Sequence, residues 1–225
     1  MFDKRINIFA GHFGSGKTEV AVNFAFALKA MGKKVAIVDL DIVNPFFRTS
    51  DMKSKFEEEG IKAILPIFAN TNVDVPALPA EINVVFEQKS YEGVIDVGGD
   101  DLGARALSRY RRQIEEEEYN LYMVINTLRP MTETTEKILI MLDEIQNTSN
   151  LKVTGFVNNT NLLMETVVSQ ILEGQKIIEE ASRISNIPIA FISCLDALAE
   201  DVKKSIDINV FPLNKKILLP WQQEE

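Results

Sequence analysis

GHFGSGKT, at residues 11–18, fits the phosphate-binding loop pattern G-x-x-x-x-G-K-[ST]. An apolar, β-favouring run at residues 5–10 precedes it, and apolar side chains at helical spacing follow it over residues 18–31. The sequence therefore predicts a strand, a glycine-rich loop and a helix, which is the order that this motif requires. The loop residues expected to bind phosphate are Gly11, His12, Phe13, Gly14, Ser15, Gly16, Lys17 and Thr18.

The residue types of this loop suit a chain of phosphates. Glycines allow the sharp turn that brings successive backbone N–H groups together, and the N-terminus of the following helix adds a favourable dipole for an anion. In such a loop Lys17 reaches the β- and γ-phosphates, and the Thr18 hydroxyl binds Mg²⁺. The motif therefore predicts a nucleoside triphosphate and Mg²⁺ as ligands.

Length and composition limit the classes of protein to consider. With 225 residues the chain can bury about three quarters of its unfolded surface, so we expect one nucleotide-binding domain over residues 1–225. Cys194 is the single cysteine, which excludes an intrachain disulfide. The sequence carries neither a signal-peptide pattern nor an apolar span of membrane length, so a cytoplasmic location is expected. The net charge of −9 argues against binding to nucleic acid or to a membrane surface.

Apolar runs alternate with helical patterns along the chain. Helices are expected at 18–31, 132–147 and 162–184, among others. Many of the other runs are continuously apolar, which is typical of parallel strands that helices cover on both faces. The pattern predicts an α/β fold with a doubly wound, mainly parallel sheet. Strands are expected at 5–10, 34–39, 61–67, 93–97, 120–126, 151–158, 187–193 and 217–219.

Two aspartates follow the second predicted strand, where residues 38–48 read VDLDIVNPFFR. The carboxyl ends of parallel strands form the ligand-binding edge of an open α/β sheet, so these carboxylates should lie beside the phosphate loop. Asp41 would then position the attacking water, and Asp39 would help to hold hydrated Mg²⁺ or orient the loop. The alternative is that both acids cap the turn at Asn44-Pro45.

A third aspartate ends another apolar strand, where residues 93–101 read GVIDVGGDD. This is the pattern of a Walker B strand, and Asp96 would bind Mg²⁺ through water. Gly98 and Gly99 would let the next segment, with Asp100, swing toward a γ-phosphate as a second switch. A plain strand-to-turn transition would look similar in isolation.

The three segments GHFGSGKT, VAIVDLDIVNPFFR and GVIDVGGD, in this order, resemble the deviant-Walker ATPases of the MinD and ParA family and the related cobyrinate synthases, a SIMIBI-class group. The resemblance spans most of the chain. It implies ATP hydrolysis with Lys17 and Asp41 as catalytic residues, Mg²⁺ on Thr18 and Asp96, and a homodimer. Members that form ATP-sandwich dimers carry a second lysine near the start of the loop, where this chain has His12. The His12 imidazole is either an ordinary hydrogen-bonding residue or one with a catalytic role or a contact to the phosphates of a partner subunit.

The prediction that the base is adenine rests on a missing motif and on the same family resemblance. The guanine-reading N/TKxD motif is missing, which favours ATP over GTP. Residues 155–159 read GFVNN and resemble the segment that carries the adenine-contacting asparagine in these families, which implies Asn159 with Asn158 as the alternate. A simple turn after a strand is the other interpretation.

Three functions are compatible with these motifs. The leading expectation is a switch ATPase whose nucleotide state controls an unidentified protein client. The second is an ATP-dependent ligase of the dethiobiotin or cobyrinate type, in which a small carboxylate substrate takes the phosphoryl group. The third is a nucleotide-binding adaptor with little turnover. Three arginines at i, i+4 and i+7 on one predicted helix would meet an acidic partner, supply in trans the charge of the missing second lysine, or pair with Glu115 and Glu116; they are Arg105, Arg109 and Arg112.

Overall fold

The described residues contain eight strands, which form one sheet with all neighbouring pairs parallel, and this sheet confirms the expected α/β class. The computed structural model describes residues 1–40, 52–65, 80–99 and 101–216. The strand order is β3-β2-β4-β1-β5-β6-β7-β8. The strands are β1 Ile6–Ala10, β2 Val35–Leu40, β3 Lys62–Ile64, β4 Glu92–Val97, β5 Tyr119–Ile125, β6 Gly155–Asn158, β7 Ile189–Leu195 and β8 Val210–Leu213.

Helices join the strands and cover both faces of the sheet. They are α1 Lys17–Ala30, α2 Lys53–Glu58, α3 Asn83–Glu87, α4 Asp101–Ser108, α5 Arg111–Glu115, α6 Thr135–Ser149, α7 Val168–Ser185 and α8 Asp196–Ser205, with 3₁₀ turns at Ala80–Ile82 and Leu163–Glu165. None of the helices in the described part of the chain is long and apolar enough to cross a membrane.

Strand β1 shows how the core is divided. Ile6 and Ile8 face the cluster that packs under α6, whereas Phe9 faces the cluster under α1. The Phe9 ring lies 5.2 Å from the Phe24 ring and 5.4 Å from the Tyr122 ring, measured between centroids. Because both faces of β1 are buried in this way, four of its five residues are apolar, and the exception, the buried Asn7, donates from Nδ2 to the Lys4 carbonyl at 2.8 Å.

The strand predictions were wrong at one place and too long at another. A described strand, β8 at Val210–Leu213, was missed, because it is only four residues long and contains Pro212. The strand expected at 151–158 begins only at Gly155; Leu151 and Val153 are buried without ladder pairing, and the Val153 N–H donates to Gln146 Oε1. The expected strand at 217–219 lies outside the described residues.

The expected arginine stripe does not lie on one helix. Helix α4 ends at Ser108 and α5 begins at Arg111, so Arg109 falls in the turn between them. Arg112 forms the expected solvated ion pair with Glu116, at 3.1 Å. Glu115 pairs instead with Arg111, at 3.0 Å.

Candidate functional site

The glycine loop connects the carboxyl end of β1 to the start of α1, as the sequence predicts. Gly14 and Gly16 have φ angles of 81° and 79°, a left-handed conformation that glycine adopts without strain. At Gly16 a Cβ atom would lie only 2.3 Å from Asn159 Nδ2. The Ser15 N–H donates to the His12 carbonyl at 3.1 Å and closes the turn. The backbone therefore has the cradle shape that a phosphate requires.

Polar side chains of this loop are buried at the start of α1. Lys17 is 5% exposed and Thr18 is 8% exposed. The Ser15 hydroxyl is also buried, and it has no hydrogen-bond partner among the residues that the structure describes. A buried hydroxyl without a partner is costly, so these groups fit an anionic ligand that would contact them.

A cavity of about 480 Å³ opens beside the loop, a size typical of small-molecule sites. The walls of this cavity combine residues of the phosphate loop with apolar side chains of the kind that enclose a planar ring. The lining comprises Phe13, Gly14, Gly16, Lys17, Thr18, Glu19, Arg129, Pro130, Met131, Asn159, Asn161, Leu163, Met164, Cys194, Leu195, Leu213 and Lys215. A charged cradle that continues into an apolar cavity suits a ligand with a phosphate end and an aromatic end.

The two asparagines at the end of β6, Asn158 in the strand and Asn159 directly after it, have different surroundings. Asn159 lines the cavity; its Nδ2 donates to the Ser15 carbonyl at 2.7 Å, and its Oδ1 accepts from Ser193 Oγ at 2.9 Å. Asn158 is fully buried between β6 and α7. Its Nδ2 donates to the Ile171 carbonyl and to Gln175 Oε1, and its Oδ1 accepts from the Thr160 N–H.

Sequence reasoning missed the segment that follows β5. Arg129, Pro130 and Met131 line the cavity, and Arg129 Nε donates to the Gly14 carbonyl at 3.3 Å. This segment could have been found from its position in the sequence. NTLRP, at residues 126–130, follows a central parallel strand at the ligand edge of the sheet. Asn161 was missed in the same way after β6.

Asp39 and Asp96 lie side by side on neighbouring strands. They are register partners on β2 and β4, and each is 1% exposed. Both side chains stand near the carboxyl edge of the sheet, which is the edge where the loop begins. Carboxylates at this edge are suitable ligands for hydrated Mg²⁺. Asp41 and Asp100 lie outside the described residues, and the described part of the chain contains no cluster of three or more acidic, histidine or cysteine residues around a metal position.

The segment after β4 packs directly on the phosphate loop. At Gly99 a Cβ atom would lie 2.7 Å from the backbone nitrogen of Phe13. At Gly103, in α4, a Cβ atom would lie 2.6 Å from the backbone nitrogen of Gly98. Glycines are therefore required at both contacts. A displacement of the segment after β4 would also displace the phosphate loop.

His12 contacts another part of its own chain. Its Nε2 lies 3.5 Å from Glu144 Oε2 of α6. The two side chains border a small cavity of about 50 Å³ between the loop, Gly98 and Gly99, and α6. The imidazole thus has a local partner, which fits the interpretation of His12 as a hydrogen-bonding residue of the loop.

The single cysteine also lines the main cavity. Burial, reinforced by the negative charge of Asp196, raises the pKa of the Cys194 thiol to about 11. The thiol is therefore protonated at neutral pH, and it is one of the apolar groups of the cavity rather than a nucleophile.

A glycine loop that joins a buried strand to a helix, at the carboxyl edge of a parallel sheet, defines the P-loop class of nucleotide-binding proteins. Within that class the chain belongs to the CobQ/CobB/MinD/ParA nucleotide binding domain family, whose model matches residues 6–193. The resemblance seen in the three sequence segments is confirmed by this match.

Individual known proteins also show a similar sequence or fold. A protein of Aquifex aeolicus named arsenical pump-driving ATPase 1 is 36% identical over 92 residues, which is 40% of this chain and 22% of that relative. Chloroplast FtsY from Physcomitrella patens has a TM-score of 0.54 at 17% identity, over 83% of this chain and 57% of that one. FtsY from Thermotoga maritima has a TM-score of 0.54 at 21% identity, over 84% and 61%. The likeness to FtsY is one of fold alone.

Proposed function

We propose that this chain binds ATP with Mg²⁺ and hydrolyses it, and that the nucleotide state sets its affinity for a protein client. The observation that carries the proposal is the buried group of Ser15, Lys17 and Thr18 in a glycine cradle that opens onto the cavity. These groups suit the β- and γ-phosphates, because a lysine and converging N–H groups stabilise the charge of a phosphoryl group in transfer.

The acidic residues supply the remaining roles. Thr18 and Asp96, with Asp39 beside them, would hold Mg²⁺, which supplies charge neutralisation between the β- and γ-phosphate oxygens when bound. Asp41 would position the water for in-line attack. The close packing of Gly99 on Phe13 supports Gly98, Gly99 and Asp100 as the second switch, because a shift of the loop on hydrolysis would displace them.

The adenine would lie among the apolar lining residues, with Asn159 at its edge. The Asn159 amide uses one N–H for Ser15 and one lone pair for Ser193, so it keeps one donor and one acceptor position for a base. Asn158 is the weaker candidate, because its amide is engaged inside the core.

The proposal is tested by calorimetry of ATP binding in the presence of Mg²⁺. Lys17→Ala should weaken binding by about tenfold or more, since a charge-assisted contact is worth about 1.5–3 kcal/mol. Lys152→Ala, which removes an exposed lysine away from the cavity, is the matched control. Equal affinities of the wild-type protein, Lys17→Ala and Lys152→Ala for ATP would refute the proposed site.

Phosphate release then separates the switch from its rivals. Phosphate release that is stimulated by a protein fraction supports the switch ATPase. Phosphate release that is stimulated by small carboxylates supports a ligase. Tight ATP binding without turnover under either condition supports an adaptor. Light scattering with a non-hydrolysable analogue measures whether ATP also drives the homodimer that the family resemblance implies.

A further inference from the structure

We propose that Arg129 binds the phosphate chain of the nucleotide from within the same polypeptide. The inference rests on the proposed ATP site and adds to it a phosphate-binding residue outside the loop motif. Arg129 lies on the segment between β5 and α6, which the sequence motifs do not include.

The side chain of Arg129 lies over the phosphate loop. Its Nε is 3.3 Å from the Gly14 carbonyl, and its Cδ, Nε and Cζ atoms come within 3.5–3.9 Å of the position that a Gly14 Cβ would occupy. Arg129 lines the same cavity as Gly16 and Lys17. The guanidinium is therefore next to the backbone that cradles the β-phosphate in loops of this kind.

The segment that carries Arg129 is held in place by a buried asparagine. Asn126 is fully buried; its Nδ2 donates to the Asn161 carbonyl, and its Oδ1 accepts from the N–H groups of Leu128 and Asn161. Its own carbonyl accepts from Thr132 Oγ1 at 2.6 Å and from the Arg129 N–H at 3.1 Å. Such a network presents Arg129 to the cavity without the entropy cost of ordering a loose loop.

In the described part of the chain, the charge of Arg129 has no local counterion. Within the described ranges, no carboxylate lies within ion-pair distance of it, whereas Arg111 and Arg183 each pair with a glutamate. Glu19 also lines the cavity, but it accepts hydrogen bonds from the Asn23 side chain and the Lys216 N–H. A guanidinium stays protonated and has five N–H donors, of which the Gly14 carbonyl uses one. The remaining fork matches the oxygens of a phosphate.

The position of Arg129 also bears on the absence of a second lysine at the start of the loop. His12 lies at the position that carries the positive charge of a second lysine in the resemblance, and its imidazole contacts Glu144. Arg129 brings that charge from the same chain. Its contribution should therefore be seen in a single polypeptide, without a second copy.

The test compares Arg129→Gln with the wild-type protein in calorimetry with a non-hydrolysable ATP analogue and with AMP. Glutamine can still donate to the Gly14 carbonyl but has no charge. The affinity for the analogue should fall by about tenfold to hundredfold, as expected for a hydrogen bond to a charged group. The affinity for AMP should be unchanged. Arg112→Gln, at an exposed arginine on α5, is the matched control and should bind like the wild type.

Two results would overturn the inference while leaving the ATP site intact. Wild-type affinity of Arg129→Gln for the analogue would mean that residue 129 only holds the Gly14 carbonyl. Equal losses for the analogue and AMP would mean that the cavity itself is disturbed. Arg129→Ala repeats the comparison if the glutamine variant melts early. Failure of the wild-type protein to bind the analogue would instead refute the proposed function, and this inference with it.

Discussion

Gly16 lies where the phosphate loop meets Asn159, and its replacement tests that contact. In Gly16→Ala the new Cβ would lie 2.3 Å from Asn159 Nδ2, at a residue with φ of 79°. Gly32→Ala is a matched control, because its φ is 78° but no atom of the described residues, its two chain neighbours aside, lies within 4 Å of the new Cβ. Backbone strain costs about 1–3 kcal/mol in both variants. We expect Gly16→Ala to lose more stability in urea unfolding than Gly32→Ala, and to weaken ATP binding as well; equal losses would contradict a rigid contact.

The neighbouring asparagines are expected to respond differently to truncation. Asn158→Ala leaves the Thr160 N–H and Gln175 without their buried partners, so the free energy of unfolding should fall by about 1–3 kcal/mol. The preference for ATP over GTP should not change. Asn159→Ala should instead lower that preference, measured by competition of both nucleotides against a fluorescent analogue. A preference that follows residue 158 and not 159 would reverse the assignment of the base contact.

Helix α7 packs through a glycine against the segments that follow β5 and β6. At Gly174 a Cβ atom would lie 2.4 Å from Thr160 Oγ1 and 2.5 Å from Thr127 Oγ1, two buried hydroxyls that bond to each other at 3.0 Å. Alanine in a helix is favoured over glycine by about 1 kcal/mol, but overpacking a core costs about 1–3 kcal/mol. We expect the clash to prevail, so Gly174→Ala should destabilise the protein in urea unfolding. The difference between Glu173→Ala and Glu173→Gly, at the exposed neighbouring position, measures the helix preference of alanine over glycine alone. A more stable Gly174→Ala would show that α7 can move.

The sequence predicts elements better than it predicts the contacts between them. Strand β1, the loop and α1 follow from local patterns, and so does the strand that ends in Asp96, because continuous apolar runs and glycines record burial and backbone shape. Arg129 could not be found in that way. Its position depends on Asn126, which bonds to Asn161 across 35 residues of sequence. Pairings of this kind depend on the tertiary arrangement, which no periodicity in the chain encodes.

The candidate site and a network of ion pairs lie at opposite edges of the sheet. The loop, Asp39 and Asp96 lie at the carboxyl ends of the strands. At the amino ends, just before β1, Arg5 donates to the carbonyls of Val85 and Tyr91 and to Glu117 Oε2. Stability at the amino edge can therefore be changed without a direct effect on nucleotide binding.

Glu117 makes the amino edge sensitive to acid. Burial alone would raise the pKa of Glu117, but hydrogen bonds and charges from Lys89 and Arg5 together lower it below its ordinary value. A carboxyl whose pKa is lower in the folded than in the unfolded state stabilises the fold above the unfolded pKa, and this contribution is lost as the pH falls through the folded pKa. Glu117→Gln should therefore cost about 1 kcal/mol of unfolding free energy at pH 7 and less at an acidic pH at which Glu117 is protonated in the folded protein.

Urea unfolding at both pH values measures this difference, with ATP binding at pH 7 as the second readout. Glu118→Gln is the matched control, because Glu118 pairs with Lys4 while its side chain is 82% exposed, against 14% for Glu117. An exposed pair is screened by water, so its loss should change stability by only a few tenths of a kcal/mol. Equal effects of the two variants would contradict a special role for Glu117. A loss of ATP affinity in Glu117→Gln would show that the two edges of the sheet are coupled.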